Sequence, residues 1–295
     1  MNYMKKTIFA LFIFVAINAH LMAQEKYAFL VGVSKYSLVH DTGWEDIHGA
    51  NDVVLLKPIL EKQGFKTSTL TEEKATFDNI IKGLSKLEKT IKSGNIVYLH
   101  FSMHGQPFDD AISSVKGDEN DGWDEALIPI DAAISYNNGY TGSRHIIDDD
   151  MNVIINRIRT KIGKTGYLYV AIDACHSGRS NRGGFDEPDY VRGVKRGFSK
   201  DNKPYIAKDE RPTYYAIESS TKMSPVVYLE ACRGKELNAE MEFNGVYHGP
   251  MSYFIAHVLS KTAIGTNANW VIEVKKLMDA KGPQNQSMVI EQSKD

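Results

Sequence analysis

Two stretches decide how this chain folds: IVYLHFSMHG at positions 96–105 and YLYVAIDACHSG at positions 167–178. Each opens on a run of β-branched, aromatic and aliphatic residues and then breaks abruptly into small polar residues and a glycine. A strand buried on both faces reads this way, with its C-terminal end emerging at the edge of a sheet. The expected strands are therefore Ile96 to Phe101 and Tyr167 to Ile172, with further runs at Tyr27 to Val33, Tyr214 to Ile217 and Val226 to Ala231. Helix-period stretches fall between them: Asp52 to Leu60, the stripe Ile80, Ile81, Leu84, Leu87 and Ile91, and Met151 to Ile162. Phe254, Val258 and Leu259 point to another helix near the end, and Trp270 to Met278 to a last one. Strands alternating with helices in this order predict an α/β fold, a mostly parallel central β-sheet with helices on both faces.

The chain has 295 residues, 42% apolar and 24% charged, with a formal net charge of −2. That composition excludes a disordered or fibrous protein, and the balanced charge gives no reason to expect a nucleic acid or anionic membrane as partner. Two cysteines, Cys175 and Cys232, rule out a disulfide framework and a four-cysteine zinc site. Lys5 and Lys6 ahead of the apolar run Ile8 to Ile17, with Ala23 before Gln24, read as a signal peptide over 1–23. The run is shorter than the roughly 20 residues a membrane span needs, so the expectation is export, to periplasm or medium, with no stable membrane span once the signal is removed. Residues 24–295 read as a single domain with two atypical segments. Residues 109–131 hold eight acids against the single base Lys116 and read as an acidic loop, and residues 179–211 hold nine bases against six acids. Connectors this long are usually functional or mobile.

In an open parallel sheet, ligands and catalytic groups collect at the C-terminal ends of the strands. Two of the expected strands end there in reactive chemistry, one running into Ser102, Met103, His104 and Gly105, the other into Asp173, Ala174, Cys175, His176, Ser177 and Gly178. If these strands are neighbours, His104 and Cys175 meet across 71 residues of sequence. An imidazole beside a thiol takes its proton or stabilises the thiolate, which is the nucleophilic form. Gly105 and Gly178 allow a peptide carbonyl to come close to backbone N–H groups that hold an oxyanion.

Three segments together, Phe101 to Gln106, Asp118 to Asp131 and Ile172 to Gly178, resemble the caspase-like cysteine peptidases, specifically the metacaspase branch of peptidase family C14. Glu230 to Glu240 and His248 to Tyr253 are weaker echoes of the same family. The resemblance implies a caspase-like three-layer sandwich, His104 and Cys175 as a catalytic dyad, and cysteine endopeptidase chemistry on protein or peptide substrates through an acyl-enzyme. It also implies that Asp173, Ser102 and Asp52 line the pocket for the residue preceding the cut. Such an anionic pocket favours Arg or Lys and repels Asp. For Asp52 the alternative is simple stabilisation of a helix N-terminus.

Glu230-Ala-Cys232-Arg-Gly234 is close to the animal caspase nucleophile signature. However, His104 lies 128 residues upstream of Cys232, against about 50 in that signature, which favours Cys175. The resemblance further implies calcium as an activator on Asp124, Asp148 and Asp149, hard oxygen donors suited to that cation. Arg182 stands where the family carries one more acid, Asp186 is the substitute, and Asp149 and Asp150 alternatively just begin a helix. The basic segment 179–211 reads either as a self-cleavage site or as a solvated loop. Two other functions share these motifs: a catalytically silent caspase-like binding or scaffold domain, and a cysteine acyl transferase or transpeptidase.

Overall fold

The structure is a computed structural model, in which residues 24–117, 121–175, 189–194, 196–205, 212–217 and 220–293 are described. The signal-peptide expectation over 1–23, together with His176, Arg182 and Asp186, falls outside them. In chain order the elements are β1 (Lys26–Gly32), α1 (Gly49–Lys62), β2 (Phe65–Thr71), α2 (Phe77–Thr90), β3 (Ile96–Ser102), β4 (His104–Asp109), β5 (Trp123–Ile128) and β6 (Ile146–Ile147). After these come α3 (Asp148–Ile162), β7 (Tyr167–Asp173), β8 (Tyr214–Ile217), β9 (Val226–Glu230), β10 (Met241–Phe243), β11 (Val246–His248), α4 (Pro250–Leu259), α5 (Asn269–Lys281) and β12 (Val289–Ser293).

Seven strands form one sheet in the order β2-β1-β3-β7-β9-β12-β8, parallel except where β12 runs against β9. Side chains alternate across each strand, so the sheet supplies two cores. Phe29, Val31, Leu99 and Phe101 pack on the side of α2 and α3, against Ile80, Leu84, Ile155 and Ile158. Leu30, Tyr98, Tyr169 and Ala171 face the other way, onto Leu56 of α1, Phe254 and Ile255 of α4, and Trp270 of α5. Every residue of β3 is buried, as its two-faced apolar sequence requires. This is the expected three-layer sandwich, with the predicted strands and helices present within a few residues of their expected limits.

The acidic loop expected over 109–131 is a correction. Residues 123–128 form β5, which pairs antiparallel with β4 and with β6 in a separate three-stranded sheet. The count of acids masked a short apolar tail, Ala126 to Ile128, that is buried. The edge strand β2 also escaped the sequence reading, because FKTSTLT offers only one buried side chain, Phe65.

Two close approaches set helix starts against the strand ends. A Cβ on Gly49 would lie 2.1 Å from the Ser102 carbonyl oxygen, so only glycine lets the start of α1 abut the end of β3. Just ahead of α4, a Cβ on Gly249 would lie 2.2 Å from Asp173 Oδ2 at the end of β7.

Candidate active site

β3 and β7 are neighbouring parallel strands, and Ser102 stands opposite Asp173 in their register. His104 and Cys175 therefore each lie two residues beyond the same rung. The chain brings a third segment to this rim, residues 189–194 of the basic stretch. The carbonyl oxygen of Arg192 accepts from Cys175 N–H at 2.9 Å and from Gly105 N–H at 3.2 Å. Two convergent backbone donors on one carbonyl oxygen are the arrangement that stabilises an oxyanion when that carbonyl is attacked.

Upstream of Arg192 the segment behaves as an added strand. Val191 bridges Ala239 antiparallel, Arg192 N–H donates to the Asn238 carbonyl at 2.9 Å, and Glu240 N–H donates to the Tyr190 carbonyl at 3.0 Å. Main-chain pairing of this kind is how an extended peptide docks on a sheet edge. The Tyr190 ring meets His48 edge-on at 4.5 Å between centroids and Tyr247 at 4.9 Å, while the Tyr247 hydroxyl donates to Asp189.

The Arg192 side chain is fully buried, and each guanidinium nitrogen has its own carboxylate. Nε lies 2.9 Å from Glu240 Oε1, Nη1 lies 3.1 Å from Asp173 Oδ1, and Nη2 lies 2.8 Å from Asp52 Oδ2. Nη1 also donates to Ser102 Oγ at 2.6 Å, and that hydroxyl donates to Asp52 Oδ2 at 2.6 Å. The expected pocket trio of Asp52, Ser102 and Asp173 thus converges on one cation. Asp52 does sit in the first turn of α1, but its oxygens are committed to Ser102, Arg192 and His248, beyond what a helix terminus needs.

A second layer holds the carboxylates in place. Ser252 and Asn238 donate to Asp173, Ser252 also meets His100, and His48 pairs with Glu240 at 2.6 Å. Burial alone would raise the Asp173 carboxyl, but Arg192, Ser252 and Asn238 outweigh it and hold the group below its ordinary range. Glu240 obeys the same logic, burial opposed by Arg192 and His48, with a net lowering. Burial works against the guanidinium as well, yet the three carboxylates raise its pKa. Arg192, Asp173 and Glu240 are therefore all ionised at neutral pH.

His104 is buried in an aromatic seat. Its ring stacks on Trp44 at 4.7 Å, and Tyr36 lies at 4.9 Å. Nε2 is 2.9 Å from the Glu45 carbonyl, an acceptor, so Nε2 carries the proton and Nδ1 is left as the basic nitrogen. Among the described residues Nδ1 has no hydrogen-bond partner. Burial lowers the imidazole pKa to about 4, so the ring is neutral at pH 7. The Cys175 thiol donates to the Glu236 carbonyl at 2.9 Å. Cys232 is its neighbour: the adjacent Cys175 and burial push the Cys232 thiol well above its ordinary pKa.

The expected calcium ligands lie elsewhere, where β5 meets α3. Asp148, Asp149 and Asp150 form the first turn of α3, so the helix-start reading describes where they are. Asp148 Oδ1 accepts from Glu125 N–H, and burial together with the charges of Glu125, Asp124 and Asp149 pushes its pKa up to about 8. Among the described residues no three His, Cys, Asp or Glu side chains converge on a common metal-binding point. No helix of the described residues is long and apolar enough to cross a membrane.

The profile of the metacaspase, peptidase C14 domain matches residues 26–181, more than half of the chain. This chain belongs to that family. Among curated relatives, Metacaspase-1 of Candida albicans is 23% identical over 274 residues, covering 79% of this chain and 58% of its own length. Metacaspase-1B of Aspergillus fumigatus is 30% identical over 181 residues, covering 58% of this chain and 38% of its own. The chain thus spans roughly half the length of the curated relatives it matches. A crystal structure of a Geobacter sulfurreducens protein shares the fold, with a TM-score of 0.60 at 17% identity over 92% of this chain and 94% of that one.

Several residues at this site were not read from the sequence: Tyr36, Trp44 and Glu45 around the imidazole, Tyr190 and Arg192 in the bound segment, and His48 and Tyr247 beside it. Glu240 and His248 lay within the two C-terminal echoes of the family, yet nothing in those stretches marked them as pocket residues.

Proposed function

We propose that this protein is a cysteine endopeptidase that cuts after arginine, and that its first substrate is its own Arg192–Gly193 bond. The observation that carries the reading is the seating of Arg192, its side chain among three carboxylates and its carbonyl oxygen on the N–H groups of Cys175 and Gly105. In this reaction Cys175 Sγ, deprotonated by neutral His104, adds to the Arg192 carbonyl carbon and the charge gathers on the oxygen held by the two donors. The imidazolium returns its proton to the Gly193 nitrogen as the C–N bond breaks, leaving an acyl-enzyme and a free amine. Water, deprotonated by His104, then releases the Arg192 carboxylate and restores the thiol. Substrates in trans are proteins or peptides that present an arginine to the pocket Arg192 vacates.

Calcium is proposed as an activator at the β5–α3 edge. The donors there are all carboxylates, and the mutual repulsion that drives Asp148 to about 8 is what a hard cation relieves. Asp124, Asp148 and Asp149 would be its ligands, although in this structure they do not converge on one point, so binding would have to draw them together. Export by way of residues 1–23 is likewise a proposal, checked by locating the protein after cell fractionation.

Intact-mass measurement and N-terminal sequencing test the reaction. Wild-type protein is expected to yield a fragment beginning at Gly193, whereas Cys175→Ala stays whole and Cys232→Ala is cut like wild type. Wild-type protein that remains whole and hydrolyses no arginine-ending peptide reporter would leave the silent scaffold as the correct function, with Arg192 as a permanent plug.

A further inference from the structure

The three carboxylates around Arg192 do not read the same part of it. Asp52 and Asp173 meet the terminal nitrogens Nη2 and Nη1, positions that a lysine ammonium also approaches. Glu240 meets Nε, at 2.9 Å, and lysine has a methylene at the corresponding depth. Glu240 is fixed from outside the pocket as well, since Oε1 accepts from His48 N–H at 2.8 Å and Oε2 meets His48 Nδ1 at 2.6 Å. The residue is 5% exposed. It therefore cannot swing away to solvent when Nε is absent, and its carboxylate would face a methylene.

We infer that Glu240 is the specificity-determining residue that makes this an arginine pocket rather than a pocket for basic residues in general. This rests on the peptidase reading and narrows its substrate class. A buried charge that loses a partner on binding the wrong side chain is a strong discriminator, much stronger than a misfit of apolar surface. Because His48 still satisfies part of Glu240, the expected penalty for lysine is about 100-fold in kcat/KM rather than the larger factors reached by fully orphaned groups. Its exclusion of lysine also bears on the protein's own chain. The stretch 179–211 contains nine bases, and a pocket that reads Nε confines cutting to its arginines and spares Lys195, Lys200, Lys203 and Lys208.

The test is a cycle on two positions, read in two ways. Self-cleavage after residue 192 is timed by intact mass in wild type, Arg192→Lys, Glu240→Gln and the double variant, and the same enzymes are given peptide reporters ending in Arg or in Lys. Arg192→Lys is expected to slow self-cleavage by about 100-fold, and wild type to prefer the Arg reporter by a similar factor. In Glu240→Gln, whose amide makes no comparable demand for a cation, both ratios are expected to fall below about 10-fold, chiefly through loss of arginine activity. Equal handling of Arg and Lys by wild type, or a preference unchanged by Glu240→Gln, would overturn the inference while leaving the peptidase intact. If wild type cuts neither itself nor any reporter, the peptidase reading fails and this inference with it. Should Glu240→Gln fold poorly, the Arg192→Lys rate and the wild-type reporter ratio decide alone.

Discussion

Replacing Arg192 by alanine in the uncut Cys175→Ala background isolates the energetics of the occupied pocket. The substitution removes the guanidinium that touches three buried carboxylates, Asp52, Asp173 and Glu240, each with a side chain fully withdrawn from solvent. Breaking a buried pair by deleting one partner typically costs about 3–5 kcal/mol, because the remaining charge is left uncompensated. At a few degrees per kcal/mol for a chain of this size, the melting temperature at pH 7 is expected to fall by about 10 °C. The pH dependence is set by the direction of the shifts. Asp173 and Glu240 are both held below their ordinary pKa values in the folded protein. Their contribution is therefore present above the unfolded carboxylate range, about 4, and is lost as pH falls through the lowered folded values. The gap between Arg192→Ala and its parent should accordingly be widest near neutrality and close in strong acid. Millimolar arginine amide, which supplies the same guanidinium, should restore part of the lost stability by binding the vacated pocket. Scanning calorimetry or thermal melts across pH 3 to 8 would measure all of this. A gap under about 1 kcal/mol at pH 7, or one that does not narrow in acid, would show that Arg192 is not held as described.

Gly249→Ala directs a methyl to within 2.6 Å of Arg192 Nη1 and closer still to Asp173 Oδ2. It should abolish self-cleavage by crowding the guanidinium out, seen as a whole chain by intact mass. Tyr247→Ala removes one wall of the Tyr190 slot, an aromatic contact of about 0.5–1.5 kcal/mol. Wild type should favour Tyr-Val-Arg over Ala-Val-Arg reporters by roughly 3- to 10-fold, and this variant should lose that preference. Asp148 has a raised pKa of about 8, so calcium-free protein should lose stability as pH rises from about 4 to 8. Asp148→Asn should remove that loss, and added calcium should stabilise wild type but not the variant in thermal melts.

The two sequence stretches that end in His104 and Cys175 carried most of the architecture on their own. Burial of a strand on both faces requires an unbroken apolar run, and such a run is visible without any knowledge of its neighbours. Because β3 and β7 are adjacent and in register at Ser102 and Asp173, the placement of the imidazole and the thiol at one rim was also legible as soon as the strand ends were. β5 was less so, since its buried residues are interleaved with acids, and local composition outweighed a short apolar tail.

Arg192 marks the limit of that legibility. Nine basic residues lie in 179–211, and nothing in their local sequence separates this one from the rest. What distinguishes it is the convergence of Asp52 from α1, Asp173 from β7 and Glu240 from the segment before β10, positions as much as 188 residues apart. The chain's own order determined which residues are reactive and which faces are buried, because those depend on neighbours a few positions away. Which cation enters the pocket, and which carbonyl rests on the Cys175 and Gly105 amides, was decided only when distant segments closed around it, since electrostatic pairing acts through space and leaves no period or motif along the sequence.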